Sequence, residues 1–217
     1  MVIMKRLILC LLLLASPALA GDPSVPHPNQ GLLKPITGLP AALDLTSDER
    51  SKVDDGETVQ RYVRSEEDGW GVAVNLVEAP ATVVWDTILS YDRYPDWVNN
   101  VTDCTVYKRS GDDLYVDMQM SVMGIKKGLY TVNTVKRDEG WMAWTLDYSR
   151  KSDVQDMVGY WRVEQVSANP PLTRLDYSTQ MKARGVPDWL VRLLTKKSLK
   201  DGTRWVKERS ERAASRR

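Results

Sequence analysis

The stretch that decides the fold is VEAPATVVWDTILSYDRYPDWVNNV, which runs from Val77 to Val101. Pro80 stands where a helix is expected to begin, because proline is favoured at the first helical position, and Thr82 to Leu89 reads as a short helix. Arg93 to Val98 predicts a second short helix. The chain therefore places two short helices directly after a strand that ends near Val77.

Strands surround this stretch on both sides. Upstream, two strands from about Glu57 to Val77 are separated by a turn at Ser65 to Gly69. Downstream, Leu114 to Val122 alternates apolar and polar residues, which gives that strand one apolar and one polar face. Turn signals divide the rest into further strands near Leu129–Arg137, Trp141–Asp147, Met157–Val166 and Thr173–Met181.

The chain closes with one long helix, contained in ARGVPDWLVRLLTKKSLKDGTRWVKE from Ala183 to Glu208. Pro187 marks its start, and basic residues crowd its end. At 100° per residue its apolar stripe carries Leu190, Val191, Leu194, Ser198, Gly202 and Trp205. The order of elements predicts an α+β fold in which a curved antiparallel sheet wraps around this helix, because each must bury its apolar face.

The first twenty residues have the form of an export signal. Lys5 and Arg6 precede a continuous apolar run from Leu7 to Ala15, and Ala18-Leu19-Ala20 supplies the small residues of a cleavage site. The run is much shorter than the roughly 20 residues needed to cross a bilayer. We expect cleavage after Ala20 and a periplasmic or secreted protein.

Four segments follow from these patterns: a signal peptide (1–20), a proline-rich arm with a short helix (21–56), the folded domain (57–213) and a basic tail (214–217). The arm carries five prolines between residues 21 and 45, which predicts extended chain. Glu49 stands three residues after Thr46, the spacing of a helix capping box.

Composition excludes several functions. The 30 basic residues nearly balance the 29 acidic ones, so no basic field indicates nucleic-acid binding. Only two cysteines are present, and Cys10 lies in the predicted signal, so Cys104 is left without a partner and is expected to be a buried apolar residue. No phosphate-binding loop or metal-ligand spacing is visible, and we expect no cofactor, no metal and a monomer.

Val77 to Val101 and Ala183 to Glu208 resemble the START-like SRPBCC superfamily, in its coenzyme Q-binding and polyketide cyclase branch. The resemblance covers about Glu57 to Ala213, and Leu45 to Glu57 is similar to the lead-in of exported members. It implies the START/Bet v 1-like helix-grip fold, with an apolar cavity between sheet and helix. Members of the superfamily bind lipids, quinones, sterols or polyketides, and a minority are cyclases or hydrolases.

The candidate binding site lies on the faces that would meet inside this fold. Met and Trp recur at the inward positions of the strands, and Met adapts to irregular ligands. Ser198 and Gly202 leave room on the helix stripe, although a close approach of the sheet would explain them equally. The ligand-binding candidates are Val116, Met118, Met120, Trp144, Trp161, Tyr177, Leu190, Leu194, Ser198, Gly202 and Trp205.

Catalytic groups are scarce in the sequence. The only histidine, His27, lies in the arm, so no His-dependent base or triad is available to the domain. The acidic pairs Asp112/Asp113 and Asp153/Asp156 lie at turns, where we expect them to face water. Tyr130, Tyr160 and Tyr177 remain as groups that a cyclase would use. We predict no catalytic residues and no enzyme activity.

The resulting hypothesis is a carrier or sensor that binds a lipid, a quinone or a sterol-like molecule outside the cytoplasm. A cyclase or hydrolase using the same cavity is the first alternative. The second is a non-catalytic interaction module whose core is filled. Basic residues at the end of the last helix add contact with an anionic membrane surface as a further expectation.

Overall fold

The computed structural model describes residues 21–64, 69–122, 124–182 and 188–216, so the predicted signal over residues 1–20 lies outside the described residues. One curved antiparallel sheet has the order β1-β2-β8-β7-β6-β5-β4-β3, and the predicted helix-grip fold is confirmed. The strands are β1 Val59–Arg64, β2 Gly69–Val77, β3 Val101–Ser110, β4 Asp113–Val122, β5 Ile125–Lys136, β6 Trp141–Leu146, β7 Asp156–Ala168 and β8 Pro171–Lys182.

Four helices accompany the sheet: α1 Ser47–Asp54, α2 Ala81–Leu89, α3 Tyr94–Trp97 and α4 Asp188–Ala214. A 3₁₀ turn over Tyr91–Arg93 leads into α3. The capping box predicted at the start of α1 is formed, since Glu49 N donates to the Thr46 hydroxyl and Thr46 N donates to the Glu49 carboxylate at 2.9 Å. The described side chains of α4 are those of Leu199 and residues 201–214.

The β4–β5 hairpin is tighter than the sequence suggested. We expected β5 to begin near Leu129, but it begins at Ile125, which pairs with Val122. Gly124 makes the turn possible because its φ of 79° lies in the left-handed region that favours glycine. The hairpin therefore extends both strands beyond the apolar core.

The main core lies between the inner face of the sheet and the helices. Val84 and Ile88 of α2 and Val206 of α4 are fully buried in it. Gly71 brings α4 close to β2, since a Cβ built there would lie 2.2 Å from Leu199 Cδ1. Gly71 therefore allows Leu199 of α4 to pack directly against the backbone of β2.

The proline-rich arm is docked on the outer face of the sheet. Ile36 packs against the outward-facing Trp141, Ala143 and Tyr160. We call Asp153, Asp156 and Asp176 the arm-binding carboxylates, because each accepts a backbone N–H of the arm. They bind Gly21 N (2.8 Å), Leu33 N (2.8 Å) and Leu43 N (3.2 Å), respectively.

His27 of the arm is buried against the sheet: its Nδ1 accepts from Ser152 N at 3.2 Å, and its Nε2 donates to Gln155 O at 2.9 Å. One expectation about this region was wrong. Asp156 was expected to face water, yet it is fully buried, and the Asp153 side chain is only 10% exposed. Strand alternation correctly assigns such residues to the outer face of the sheet, but the arm covers part of that face and excludes water from it.

Candidate ligand-binding site

The inward rows predicted from alternation meet in one apolar cluster. On β4, Val116 is buried, while Leu114, Met118 and Met120 pack against the cluster with their outer parts uncovered. Strands β6, β7 and β8 contribute further members to the same cluster, namely Met142, Trp144, Met157, Trp161, Val163, Leu175 and Tyr177. The sheet therefore offers an apolar inner surface that is only partly covered along β4.

Aromatic side chains fill the opposite part of the inner face. The Tyr177 ring lies 4.3 Å from Trp161 and 5.8 Å from Trp144, measured between ring centroids. Gly159 makes room for this group, because a Cβ there would lie 2.2 Å from Trp144 Cζ2. A Cβ on Gly202 of α4 would meet Tyr177 Cε1 at 3.1 Å, so the room left by this small residue is taken by the Tyr177 ring.

The candidates on α4 divide into two groups. The side chains of Leu190, Leu194 and Ser198 lie outside the described residues. Trp205 is buried, and its ring lies 4.9 Å from Tyr94 and 6.1 Å from Trp97. The second half of α4 is thus packed against α3 by an edge-to-face and a tilted aromatic contact at one end of the inner face.

A polar pair on β5 interrupts the apolar inner face, and sequence reasoning missed it. Asn133 lies between Leu114 and Trp144 in the strand register, and it is 5% exposed. Its Nδ2 donates to Thr131 Oγ1 at 2.9 Å and to Leu114 O at 3.3 Å. The signal was present in the alternation of β5, because Thr131 and Asn133 occupy inward positions where apolar residues would be expected.

Three ionisable groups of the inner core, Tyr91, Tyr94 and Cys104, are neutral at neutral pH. Burial raises the pKa of the Cys104 thiol to about 12, and it raises the pKa of the Tyr91 and Tyr94 hydroxyls well above the usual value for tyrosine. Tyr94 donates to Ile88 O at 2.6 Å. These groups are proton donors or apolar neighbours at neutral pH, and none of them is a base.

Carboxylate and tyrosine pairs of the described chain lie on the outer side. Tyr107 donates to Asp147, and the guanidinium of Arg150 lies 3.9 Å from the centroid of the Tyr107 ring. Among the three tyrosines considered for a cyclase, Tyr130 and Tyr160 face outward and Tyr177 faces inward. Within the described ranges, no cluster of three or more His, Cys, Asp or Glu side chains is arranged to bind a metal.

A curved sheet around a long closing helix, with an apolar inner face, defines the START-like class of ligand-binding folds. Residues 77–202, more than half of the 217, match the family described as polyketide cyclase / dehydrase and lipid transport. The chain belongs to this family. No curated protein matches its sequence.

Solved structures with the same fold include enzymes. The Zhui aromatase/cyclase from Streptomyces sp. R1128 is 16% identical (TM-score 0.58), with 71% of this chain and 95% of that chain covered. A START superfamily protein from Mycobacterium smegmatis is 15% identical (TM-score 0.55), covering 72% and 98%. The di-domain ARO/CYC BexL from the BE-7585A biosynthetic pathway is 12% identical (TM-score 0.51), covering 78% and 54%.

The prediction that the protein is not an enzyme is contradicted by these findings, because the family includes cyclases and dehydrases as well as lipid-transport proteins. The prediction rested on the missing histidine. That absence excludes a histidine base, but a site that holds a flexible reactive molecule in one conformation lowers a cyclisation barrier by positioning alone. The argument from missing residues was therefore too narrow.

Proposed function

We propose that the protein binds a hydrophobic small molecule between the inner face of the sheet and α4, and that Thr131 and Asn133 bind a polar group of that molecule. One observation carries the proposal: the Asn133 carboxamide is buried in an apolar surface with an acceptor left over. Lipids, quinones and sterol-like molecules all combine an apolar body with one or two oxygen atoms.

The orientation of the Asn133 carboxamide follows from its partners. Leu114 O is a carbonyl and can only accept, so the group that contacts it must be Nδ2 rather than Oδ1. No donor within the described part of the chain reaches Oδ1. Thr131 Oγ1 accepts from Nδ2 and keeps its own hydroxyl proton. Together they present one acceptor and one donor, the complement of a hydroxyl or a carboxylic acid.

A ligand that covered Asn133 Oδ1 without bonding to it would lose roughly 1–3 kcal/mol of binding free energy. A ligand oxygen hydrogen-bonded to the pair would avoid that cost, while its apolar body would cover Leu114, Met118 and Met120. The pair would thus orient a molecule that the Met-rich surface, which tolerates many shapes, cannot orient alone.

We also propose that binding takes place outside the cytoplasm, as a carrier or a sensor. The support is the basic start, the apolar run and the Ala18-Leu19-Ala20 site at the beginning of the sequence. Contact with an anionic membrane surface is part of this proposal and rests on the basic residues of α4. Lys207 is already engaged with Leu76 O and Glu211, which leaves Arg204 and Arg212 of α4, with Arg216 just beyond its end, as the better candidates.

A second candidate function is cyclisation or dehydration of the bound molecule. The observation that favours it is the family match, whose description names cyclases and dehydrases. Under this alternative the same hydroxyl and carboxamide would position the reacting part of the ligand.

Native mass spectrometry of the protein purified from its own host tests the binding function. We expect a bound apolar molecule, at least tenfold less of it in Asn133→Leu, and no change in Thr145→Val, which alters the outer face of β6. An empty wild-type protein, or equal retention by Asn133→Leu, would contradict the proposal. Incubating the extracted molecule with fresh protein distinguishes the second candidate, since a dehydrase or cyclase releases product with altered mass or ring count.

A further inference from the structure

Asp153 lies in a small enclosure at the beginning of the arm. Its Oδ2 accepts from Gly21 N at 2.8 Å and from Gly128 N at 2.6 Å, while Lys127 Nζ is 3.8 Å from Oδ1. The carboxylate is 10% exposed, whereas the Lys127 side chain is 41% exposed. A carboxylate so enclosed needs positive charge nearby, and the partly solvated lysine supplies it only at a distance.

The space around Gly21 is too small for a side chain. A Cβ there would lie 2.7 Å from Lys151 O, 3.1 Å from Gly128 O and 3.2 Å from Tyr130 Cε2. The next residue, Asp22, is fixed by two backbone hydrogen bonds to Lys151, of 2.8 and 3.0 Å. These contacts accept glycine alone and hold its nitrogen against Asp153.

We propose that Asp153 is the binding site for the α-ammonium group of Gly21, formed when a signal peptidase cleaves the chain after Ala20. The inference rests on the export part of the proposed function. Hydrolysis of the Ala20–Gly21 bond consumes one water molecule, which leaves a carboxylate on Ala20 and an ammonium group on Gly21. The small residues at Ala18 and Ala20 indicate the same bond independently of the contact with Asp153.

Cleavage changes what the Gly21 nitrogen offers. As an amide it donates one hydrogen bond and carries no charge, whereas as an ammonium group it has three donors and a full positive charge. The amide form already donates to a charged acceptor, and the ammonium form adds the attraction between two opposite charges at close range. The arm is therefore held most firmly in the processed chain, and Asp153 is the residue that distinguishes the two forms.

The test uses the full-length precursor expressed in a Gram-negative host and the exported protein purified from it. Intact mass should show a chain that begins at Gly21. An amine-reactive ester applied near pH 7 labels α-amines before lysines, because their pKa values are about 8 and about 10.4. We expect Gly21 to be labelled about tenfold more slowly in the wild type than in Asp153→Asn, with Asp138→Asn as the control that resembles the wild type.

A second variant covers the case in which Asp153→Asn does not fold. One serine inserted between Ala20 and Gly21 moves the new ammonium group by about 3.5 Å, away from Asp153. This α-amine should then be labelled as fast as the α-amine of the protein unfolded in urea. A chain that begins at another residue, or equal labelling in the wild type and both variants, would overturn the proposal. Ligand content, measured on the same samples, reports on the binding function separately.

Discussion

Asp156→Asn is expected to loosen the arm at its centre. Asp156 is fully buried; its Oδ2 accepts from Leu33 N at 2.8 Å, and its Oδ1 accepts from Met157 N at 2.8 Å and Tyr148 Oη at 2.9 Å. Asparagine can keep the two bonds at Oδ1. Its Nδ2 must then face the N–H of Leu33, so one buried donor loses its acceptor and meets a second donor.

The structure gives the size of the effect. A hydrogen bond to a charged group contributes about 1.5–3 kcal/mol, and no water reaches this position to replace it. We therefore expect Asp156→Asn to lower the free energy of unfolding by about 2–3 kcal/mol. For a domain of this size each kcal/mol shifts Tm by about 2–4 °C, which predicts a loss of about 4–12 °C.

Thermal melts and limited trypsin digestion measure the change together. Lys34 is exposed and follows Leu33, so release of the arm should accelerate cleavage after Lys34 before the rest of the chain is cut. Asp138→Asn, in the exposed turn before β6, is the matched control. If Asp156→Asn melts within 1–2 °C of the control and is cleaved at the same rate, the arm does not depend on this carboxylate.

Three further predictions concern single side chains. Gly202→Leu should lower the free energy of unfolding in urea by about 1–3 kcal/mol, because a Cβ at this position would already contact the Tyr177 ring; unchanged stability would show free space there. A thiol reagent at pH 8 should label Cys104 only after unfolding, since burial raises its pKa to about 12; rapid native labelling would argue against that burial. Burial opposes ionisation of Asp147, but hydrogen bonds from Ser149 and Tyr107 outweigh it and lower its pKa. Its stabilisation is then complete above the unfolded pKa of about 3.9 and lost as pH falls through the folded pKa, so the deficit of Asp147→Asn should vanish in acid; a constant deficit contradicts this.

The fold could be predicted from the sequence because the inward-facing residues of the strands and of α4 are apolar at regular intervals. Alternation on β4 and the stripe on α4 predicted which faces meet, and Pro80 located the helices between them. The inward placement of Trp144, Trp161 and Tyr177 follows from the same periodicity. Patterns of period two and 3.6 record burial directly, which is why they predict the core.

The outer face could not be predicted in the same way. Asp156 and Asp176 occupy polar positions of their strands, and nothing local shows that a segment more than a hundred residues away covers them. The buried polar pair at Thr131 and Asn133 was missed for a related reason. Alternation predicts the face of the sheet on which a side chain lies. Its contacts also depend on segments that are far away in the sequence, which alternation does not reveal.

The arm has a consequence for the order in which the molecule is completed. Gly21, Leu33 and Leu43 leave the ribosome early, but their partners lie 132, 123 and 133 residues later in the chain. Until Asp156 on β7 and Asp176 on β8 have been synthesised, Leu33 N and Leu43 N lack their acceptors. Closing loops of this length carries a large entropic cost, which slows folding. The arm is therefore synthesised before the sheet but is among the last segments to fold onto it.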